Sequence, residues 1–354
     1  MSPRAEAPAD TPTPPPSCMP KNGGGLILGV DIGGTSTKAA LIDPGIVADE
    51  PKKGVLGRAK SETGAKEGID AGIAALADLL DEACEDAEVE RDRVAAIGVA
   101  VAGAVDHVEG VVLNAVNIGW SDVPLARLLH EALERPAVVE NDVRAAVYGE
   151  QRAGAAHKYR DVFGVWVGTG LGGGLILNNE LFYGSYGTAG EFGRGVVLPW
   201  MPPGEGSLEQ VCSRIGMAES LVRLLRSNRS SSLEPPDGND PRAIRSKEIA
   251  KAYKAEDKLV TEVVDHAAQV LGVAIAGVIT LLSLECVVLG GGFVDALGSR
   301  YVERVEEAVQ KAVFPDVCRS VKVLRSELGD DAGPIGAALL AARRLGVRAR
   351  AAAE

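Results

Sequence analysis

Two segments of this chain share one pattern, in which a glycine-rich turn joins two apolar strands. The segments are Leu26–Ile42, LILGVDIGGTSTKAALI, and Val162–Leu177, VFGVWVGTGLGGGLIL. Short apolar runs rich in β-branched residues predict buried strands. Because each glycine run leads back into a strand and opens no helix, the pattern does not match a dinucleotide-binding fingerprint. The repetition predicts a duplicated architecture whose two turns face one phosphate chain.

The glycines of these turns favour an anion as the ligand. A turn built from glycine lets several backbone N–H groups converge on an anion with no Cβ in the way. In the second segment the predicted turn runs from Gly168 to Gly174, and Thr169 can add a hydroxyl donor. The alternative is an ordinary glycine hairpin. Only the recurrence of the unit favours phosphate binding.

This pair of units resembles the actin-like sugar-kinase superfamily and, more narrowly, the ROK family (repressor, open reading frame, kinase). The resemblance covers about Leu26 to Arg344. It implies an α/β protein with two actin-like, ribonuclease H-like domains and an ATP and sugar cleft between them. We expect a disordered tail at residues 1–25, a first domain at 26–139 completed by a C-terminal helix at 333–346, and a second domain at 140–332. A polar insertion at 227–245 is expected to be mobile.

The resemblance assigns the nucleotide site to three glycine segments. In this family the first turn embraces the γ-phosphate side of ATP, the second the β-phosphate side, and a later strand–glycine junction holds the adenosine. The aspartate of the first turn orients Mg²⁺ through water. The alternatives are a turn aspartate and a tight strand-to-helix turn. The residues implied are Asp31, Gly33, Gly34, Thr35, Gly168, Thr169, Gly170, Gly172, Gly290, Gly291 and Gly292.

A second motif, Glu140-Asn141-Asp142, precedes a predicted helix and resembles the catalytic block of the family. Phosphoryl transfer to an alcohol needs a base for the hydroxyl proton and a neighbour that fixes the sugar. The resemblance makes Asp142 the general base and Asn141 the sugar-orienting amide. Asn and Asp also favour helix caps, so capping is the alternative.

Three further residues match sugar-contacting positions of the family. Asn117 lies in a polar loop, Asn114–Trp120, whose tryptophan we expect to be buried; Glu191 belongs to GSYGTAGEFGR; Glu209 ends the segment where the family has a zinc loop. Amides and carboxylates are suitable partners for sugar hydroxyls. The resemblance therefore implies that all three bind substrate.

The zinc loop of the family is changed in this chain. Its cysteines are replaced in Met201–Glu209, and Arg194 stands where the family has a histidine that serves both zinc and sugar. A structural zinc needs four such ligands, so we predict no zinc. A guanidinium only donates hydrogen bonds. Arg194 is expected either to brace the loop by pairing with Glu191 or Glu209, or to favour a substrate with a carboxylate or another acceptor. We favour bracing, because two glutamates lie in neighbouring motif positions and an unpaired buried charge is costly.

Composition excludes several other classes of protein. The chain of 354 residues has a formal net charge of −12, and aromatic residues make up only 4%. Without a basic surface or stacking platforms, nucleic-acid binding is not expected. Five scattered cysteines indicate a reduced compartment. The sequence predicts neither a signal peptide nor a membrane span. The first 25 residues are too short and too rich in proline for the DNA-binding domain of the repressor branch.

The sequence and the resemblance together predict a cytoplasmic, homodimeric kinase. It would transfer the γ-phosphate of ATP, with Mg²⁺, to the 6-hydroxyl of glucose or a related hexose, with Asp142 as the base. The alternatives are a sugar-binding regulator and a degenerate kinase that turns over poorly.

Overall fold

The computed structural model describes residues 25–197, 201, 205–234 and 236–347. All but the last residue of the predicted disordered tail lie outside this range. The described chain forms two compact units. The first consists of residues 25–149 and 333–347, and the second of Glu150–Ala332. The second unit thus starts inside a helix, ten residues beyond position 140, where the sequence-based division had put the start of the second domain.

The first unit is built on a five-stranded mixed sheet with the strand order β3-β2-β1-β4-β8. Strands β1 to β3 form an antiparallel meander, and β4 and β8 run parallel to β1. A small antiparallel sheet of β5, β6 and β7 lies after β4 in the chain. The strands are β1 (Leu26–Ile32), β2 (Ser36–Ile42), β3 (Val55–Glu62), β4 (Val94–Val101), β5 (Ala104–Asp106), β6 (Val111–Ala115), β7 (Trp120–Val123) and β8 (Ala137–Asn141).

Helix α3 of the first unit buries one apolar face. On α3 the residues Leu76, Leu79, Leu80 and Ala83 recur at helical spacing and are all buried. The helices are α1 (Pro44–Val47), α2 (Pro51–Gly54), α3 (Ile69–Asp86), α4 (Leu125–Leu133) and α5 (Asp142–Ala153). The predicted C-terminal helix is present as Ala332–Leu345, and it belongs to this unit from Gly333 onward.

The second unit repeats the strand order of the first, as β11-β10-β9-β12-β13. Again the first three strands form an antiparallel meander, and the last two run parallel to the first. The strands are β9 (Val162–Val167), β10 (Leu171–Leu177), β11 (Glu180–Leu181), β12 (Cys286–Gly290) and β13 (Lys322–Arg325). The duplication predicted from the two glycine segments is therefore present in the topology.

Seven further helices complete the described chain. Ser207 opens the first of them with a capping box shared with Gln210, and Ser213 caps the next. The helices are α6 (Leu208–Cys212), α7 (Arg214–Arg226), α8 (Ser246–Lys254), α9 (Lys258–Leu282), α10 (Gly292–Leu297), α11 (Ser299–Ala312) and the C-terminal α12 (Ala332–Leu345).

The polar segment between α7 and α8 has little regular structure. Apart from residue 235, residues 227–245 contain two short 3₁₀ turns, Asp237–Asn239 and Pro241–Ala243. Ser232 donates its backbone N–H to Asp257 Oδ2 at 2.5 Å, and Ile244 is buried. The mobility expected of this insertion stays a prediction.

Helix α9 corrects one expectation of the sequence analysis. By length and composition alone it could cross a membrane, although no apolar run of that kind was expected. Half of its most apolar window is buried, and Val264, Leu271 and Ile275 belong to the core of the second unit. The core helix of an α/β domain meets the same criterion, so this helix is weak evidence for a membrane span.

Two strand glycines allow α12 to lie directly on the first sheet. A Cβ on Gly29 would come 1.9 Å from the Pro334 carbonyl oxygen, and one on Gly98 would come 2.0 Å from that of Ala337. Neither distance is possible for real atoms, and the obstacle is backbone that cannot rotate away. Only glycine is therefore compatible with this helix position.

We predict that Gly98→Ala lowers the free energy of unfolding by roughly 1–3 kcal/mol, because α12 must move off the sheet. Gly277→Ala is the control: it lies inside α9, and a Cβ there meets nothing within 4 Å besides its chain neighbours and the adjacent backbone of its own helix, among the described residues. Urea unfolding followed by circular dichroism measures both variants. An unchanged midpoint for Gly98→Ala would contradict the packing.

Candidate active site

The first glycine turn is held from behind by a threonine. Gly33 donates its N–H to the Ser36 carbonyl at 3.1 Å, which closes the turn between β1 and β2. Thr63 donates its hydroxyl to the Gly33 carbonyl at 2.6 Å and its N–H to the Thr35 carbonyl at 3.2 Å. Thr35 itself is exposed. Sequence reasoning missed Thr63, because no local pattern connects it to a turn that lies some thirty residues earlier.

Asp31 lies at the end of β1, close to the N-terminus of α12. A Cβ on Gly333 would come 2.8 Å from Asp31 Oδ2, so the half-buried carboxylate faces the first turn of this helix. Lys38 lies opposite Asp31 in the β1–β2 register. Lys38 does not lie at an edge of the sheet, because β3 pairs with the other side of β2.

The polar loop between β6 and β7 brings Asn117 to the first turn. A Cβ on Gly34 would lie 3.4 Å from Asn117 Cβ, which is van der Waals contact. Trp120 is buried, as expected, and donates Nε1–H to the Ala65 carbonyl at 3.0 Å. The tryptophan anchors the end of the loop, while Asn117 stays beside the glycines.

Asn141 connects β8, the loop after β4 and the first turn of α5. Its Oδ1 accepts the N–H of Arg144 at 3.1 Å, which caps α5. Because a backbone N–H can only donate, the amide orientation follows, and Nδ2 donates to the Gly103 carbonyl at 3.1 Å and to Asp142 Oδ1 at 2.9 Å. Asn141 is thus the cap, and Asp142 is held by its neighbour. Both hydrogens of Nδ2 are used, so Asn141 could meet a sugar hydroxyl only through Oδ1.

The second glycine turn is shorter than the sequence predicted. Gly168 donates to the Gly170 carbonyl at 2.9 Å, and β10 begins at Leu171. Gly172, assigned to phosphate binding, is paired with Trp166 inside the β9–β10 ladder. The predicted position of Gly172 in the turn was wrong, because Gly172 lies within β10. The neighbouring Gly173 serves packing: a Cβ there would lie 3.0 Å from the Gly190 carbonyl oxygen. Thr169 is exposed at the tip of the turn.

The side chain of Glu209, from helix α6, contacts this second turn. Its Oε2 accepts the Leu171 N–H at 2.9 Å, and a Cβ on Gly170 would come 2.6 Å from the same oxygen. Its Oε1 pairs with Arg194 Nη1 at 3.3 Å. Of the two partners considered for Arg194, the structure thus shows Glu209, and Glu191 is exposed. The argument from the cost of a buried charge was wrong, since the Arg194 side chain is 74% exposed and carries no burial penalty.

Backbone contacts hold the ends of the altered zinc loop together. Val196 and Ser207 form an antiparallel bridge, and Leu208 donates to the Gly195 carbonyl at 2.8 Å. Residues 198–200 and 202–204 lie outside the described chain. Among the described residues, no three His, Cys, Asp or Glu side chains form a group that could hold a metal ion. The absence of zinc stays a prediction.

The third glycine segment ends β12 and opens α10. A Cβ on Gly290 would clash with the Trp166 ring at 2.6 Å, and Gly291 has a φ of +96°. These two glycines serve packing and backbone conformation. Gly292 lines a pocket of about 610 Å³, together with Ser246, Lys247, Ala250, Lys251, Lys254, Asp295 and Ala296. The pocket is formed by α8 and α10 within the second unit.

Counted along the chain within each sheet, the five strands of both units have the order 3-2-1-4-5, and a glycine turn joins the first two strands of each. This duplicated sheet defines an actin-like ATPase fold. The chain belongs to the ROK family, whose model matches residues 27–344. It is 31% identical to a glucokinase of Halalkalibacterium halodurans over 314 residues, 87% of this chain and 92% of that enzyme.

Two other relatives show the range of this family. A ROK glucokinase of Streptomyces griseus, solved in complex with glucose and AMPPNP, is 30% identical with a TM-score of 0.75, covering 90% of this chain and 100% of that one. A xylose repressor of Caldicellulosiruptor bescii is 26% identical over 268 residues, 74% of this chain and 66% of that protein. The family therefore contains kinases and regulators.

We predict that chelator-washed protein contains no stoichiometric zinc, because the cysteine ligands of the family are replaced. Elemental analysis by mass spectrometry measures the metal, and thermal unfolding with and without chelator measures its effect on stability. One tightly held zinc per chain would contradict the prediction.

We predict that Glu209→Ala lowers the free energy of unfolding by roughly 1–3 kcal/mol, because the buried Leu171 N–H loses its acceptor. Arg194→Ala, the matched control, removes only the exposed ion pair and should cost well under about 1 kcal/mol. Urea unfolding of both variants tests this difference. Equal losses would mean that the ion pair, and not the hydrogen bond to the turn, stabilises the segment.

Proposed function

We propose that this protein is an ATP-dependent hexose kinase that phosphorylates the 6-hydroxyl of glucose or a related hexose. The observation that carries the proposal is the Asn141–Asp142 pair, in which Asn141 Nδ2 holds the Asp142 carboxylate at 2.9 Å. The same amide donates to the Gly103 carbonyl, and Asn117 contacts the first glycine turn at Gly34. The amides proposed to bind the sugar, the proposed base and the turn proposed to bind phosphate thus belong to one unit.

In this proposal Asp142 takes the proton of the attacking hydroxyl as it bonds to phosphorus. A carboxylate suits this role when it is held in one orientation, and the hydrogen bond from Asn141 supplies that constraint. Asn141 acts chiefly by orienting Asp142. Contacts to the sugar would come from Asn117 and from the remaining lone pair of Asn141 Oδ1, with Glu191 and Glu209 as further candidates.

ATP is the proposed donor. The turns at Gly33–Thr35 and Gly168–Gly170 would bind its phosphates through backbone N–H groups other than those of Gly33 and Gly168, which close the turns. The pocket beside Gly292 would take the adenosine. Lysines 247, 251 and 254 line that pocket and suit a polyanionic ligand. The relative solved with AMPPNP supports this donor. Gly172, Gly290 and Gly291 are left out of the proposed contacts.

Magnesium is the proposed metal. Mg²⁺ usually keeps several waters and needs only one or two carboxylates beside the substrate phosphates. The half-buried Asp31 next to the first turn fits this donor set. When bound, the ion would neutralise phosphate charge as it develops.

We also propose a cytoplasmic homodimer. Leu281, Phe314 and Val317 on the second unit are exposed and suit a subunit contact.

A sugar-binding regulator is the second candidate, and the similarity to the xylose repressor supports it. A degenerate kinase is the third, because Arg194 replaces a histidine of the family. All three predict sugar binding. Only the first predicts ADP release that depends on both a hexose and Asp142.

We predict that the protein releases ADP with a hexose, in a coupled assay across hexoses and N-acetylhexosamines, and that Asp142→Asn lowers kcat by on the order of 10²–10⁴-fold. Asp70→Asn is the matched control, since Asp70 is also in the first turn of a helix of the same unit but is exposed. Sugar binding by calorimetry should survive in both variants. Wild-type protein that binds a hexose without ADP release would favour the regulator, and an active Asp142→Asn variant would remove Asp142 from the role.

A further inference from the structure

A buried carboxylate between two arginines lies directly before the proposed catalytic pair. Glu140 is the last residue but one of β8 and is only 1% exposed. Its Oε1 lies 3.1 Å from Arg144 Nε, and its Oε2 lies 2.9 Å from Arg344 Nη2. A carboxylate this deeply buried is costly unless it is paired. The function described so far uses neither Glu140 nor Arg344.

Arg344 brings the C-terminal helix into this cluster. Its side chain is 17% exposed, and its Nη1 donates to the His107 carbonyl at 3.2 Å. Burial, opposed by Glu140 but assisted by Arg344 and Arg144, lowers the pKa of His107. The imidazole is therefore neutral near pH 7, and the charges of the cluster are those of one carboxylate and two guanidinium groups.

Glu140 is connected to the Asn141 amide by a closed ring of hydrogen bonds. Its Oε1 also accepts the Asn141 N–H at 2.9 Å. Arg144, whose side chain pairs with that same oxygen, donates its backbone N–H to Asn141 Oδ1 at 3.1 Å. The orientation of the amide that holds Asp142 thus depends on both ends of the Glu140–Arg144 pair.

We propose that Glu140 and Arg344 are positioning residues that set the geometry of the Asn141–Asp142 pair. The inference rests on the proposed role of Asp142 as general base. Glu140 fixes the backbone before Asn141 and the first turn of α5, and Arg344 fixes Glu140 from the opposite side. Neither residue touches a reacting atom. The C-terminal helix therefore contributes to catalysis through one arginine as well as to folding.

The test compares Arg344→Met, Arg344→Lys and Glu140→Gln with Arg343→Met, which removes the neighbouring, exposed arginine of the same helix. Each variant is assayed below its unfolding midpoint, at a temperature where circular dichroism shows it folded. We expect Arg344→Met and Glu140→Gln to lower kcat by about 10–100-fold, because misplaced catalytic groups lose rate steeply. KM for ATP should stay within about threefold, since ATP contacts are untouched.

The lysine variant separates positioning from charge. Lysine can pair with Glu140 but cannot also reach the His107 carbonyl with a planar fork. Arg344→Lys should therefore recover most of the unfolding midpoint lost in Arg344→Met and only part of kcat. Arg343→Met should stay within about twofold of wild type in kcat, because its charge change is the same but it removes an exposed side chain.

Two results would overturn the inference. If folded Arg344→Met has the kcat of Arg343→Met and only a lower unfolding midpoint, the cluster is purely structural. If Arg344→Met does not fold, Arg344→Lys and Glu140→Gln decide, and wild-type kcat in both would likewise make the cluster purely structural. The failure of the proposed function is distinct: wild type would then be inactive, or Asp142→Asn fully active.

Discussion

Direct contact between backbones at glycine positions is the constraint on which both units depend. In the first unit, Gly29 and Gly98 admit α12 onto β1 and β4 at distances that a single Cβ would forbid. In the second unit, Gly173 and Gly190 bring the segment before Arg194 against β10. These contacts leave no space for side chains and no rotamers to adjust. The contacts of Gly29 and Gly98 therefore fix the position of the N-terminus of α12, which places Gly333 beside Asp31.

The proposed catalytic pair shows how a helix terminus can be used for chemistry. A cap was the expected competitor of catalysis at Asp142, since capping would use carboxylate lone pairs. In the structure, Asn141 caps α5 through Oδ1 and also holds Asp142 through Nδ2. One amide thus caps the helix and orients the carboxylate of the proposed base.

Backbone hydrogen bonds close the loop between Arg194 and Glu209. In its described part, the ends of the loop are joined by the bridge between Val196 and Ser207, and the capping box of Ser207 and Gln210 fixes the start of α6. Glu209 then contacts the second turn through Leu171. Arg194 adds an exposed ion pair of little weight. Backbone hydrogen bonds thus hold the two described ends of this loop next to each other.

The sequence by itself determined the strands of the two glycine segments, their turns, the α5 motif and the duplication, because apolar runs and glycines act locally along the chain. It could not determine that Gly172 belongs to a ladder, that Lys38 lies inside the sheet, or that Glu209 lies on the second turn. Each of these depends on a partner far away in sequence. The Glu140–Arg344 pair, 204 residues apart, is the extreme case. Only the tertiary structure decided these contacts, because hydrogen bonds and strand order between distant segments leave no periodic signal in a single sequence.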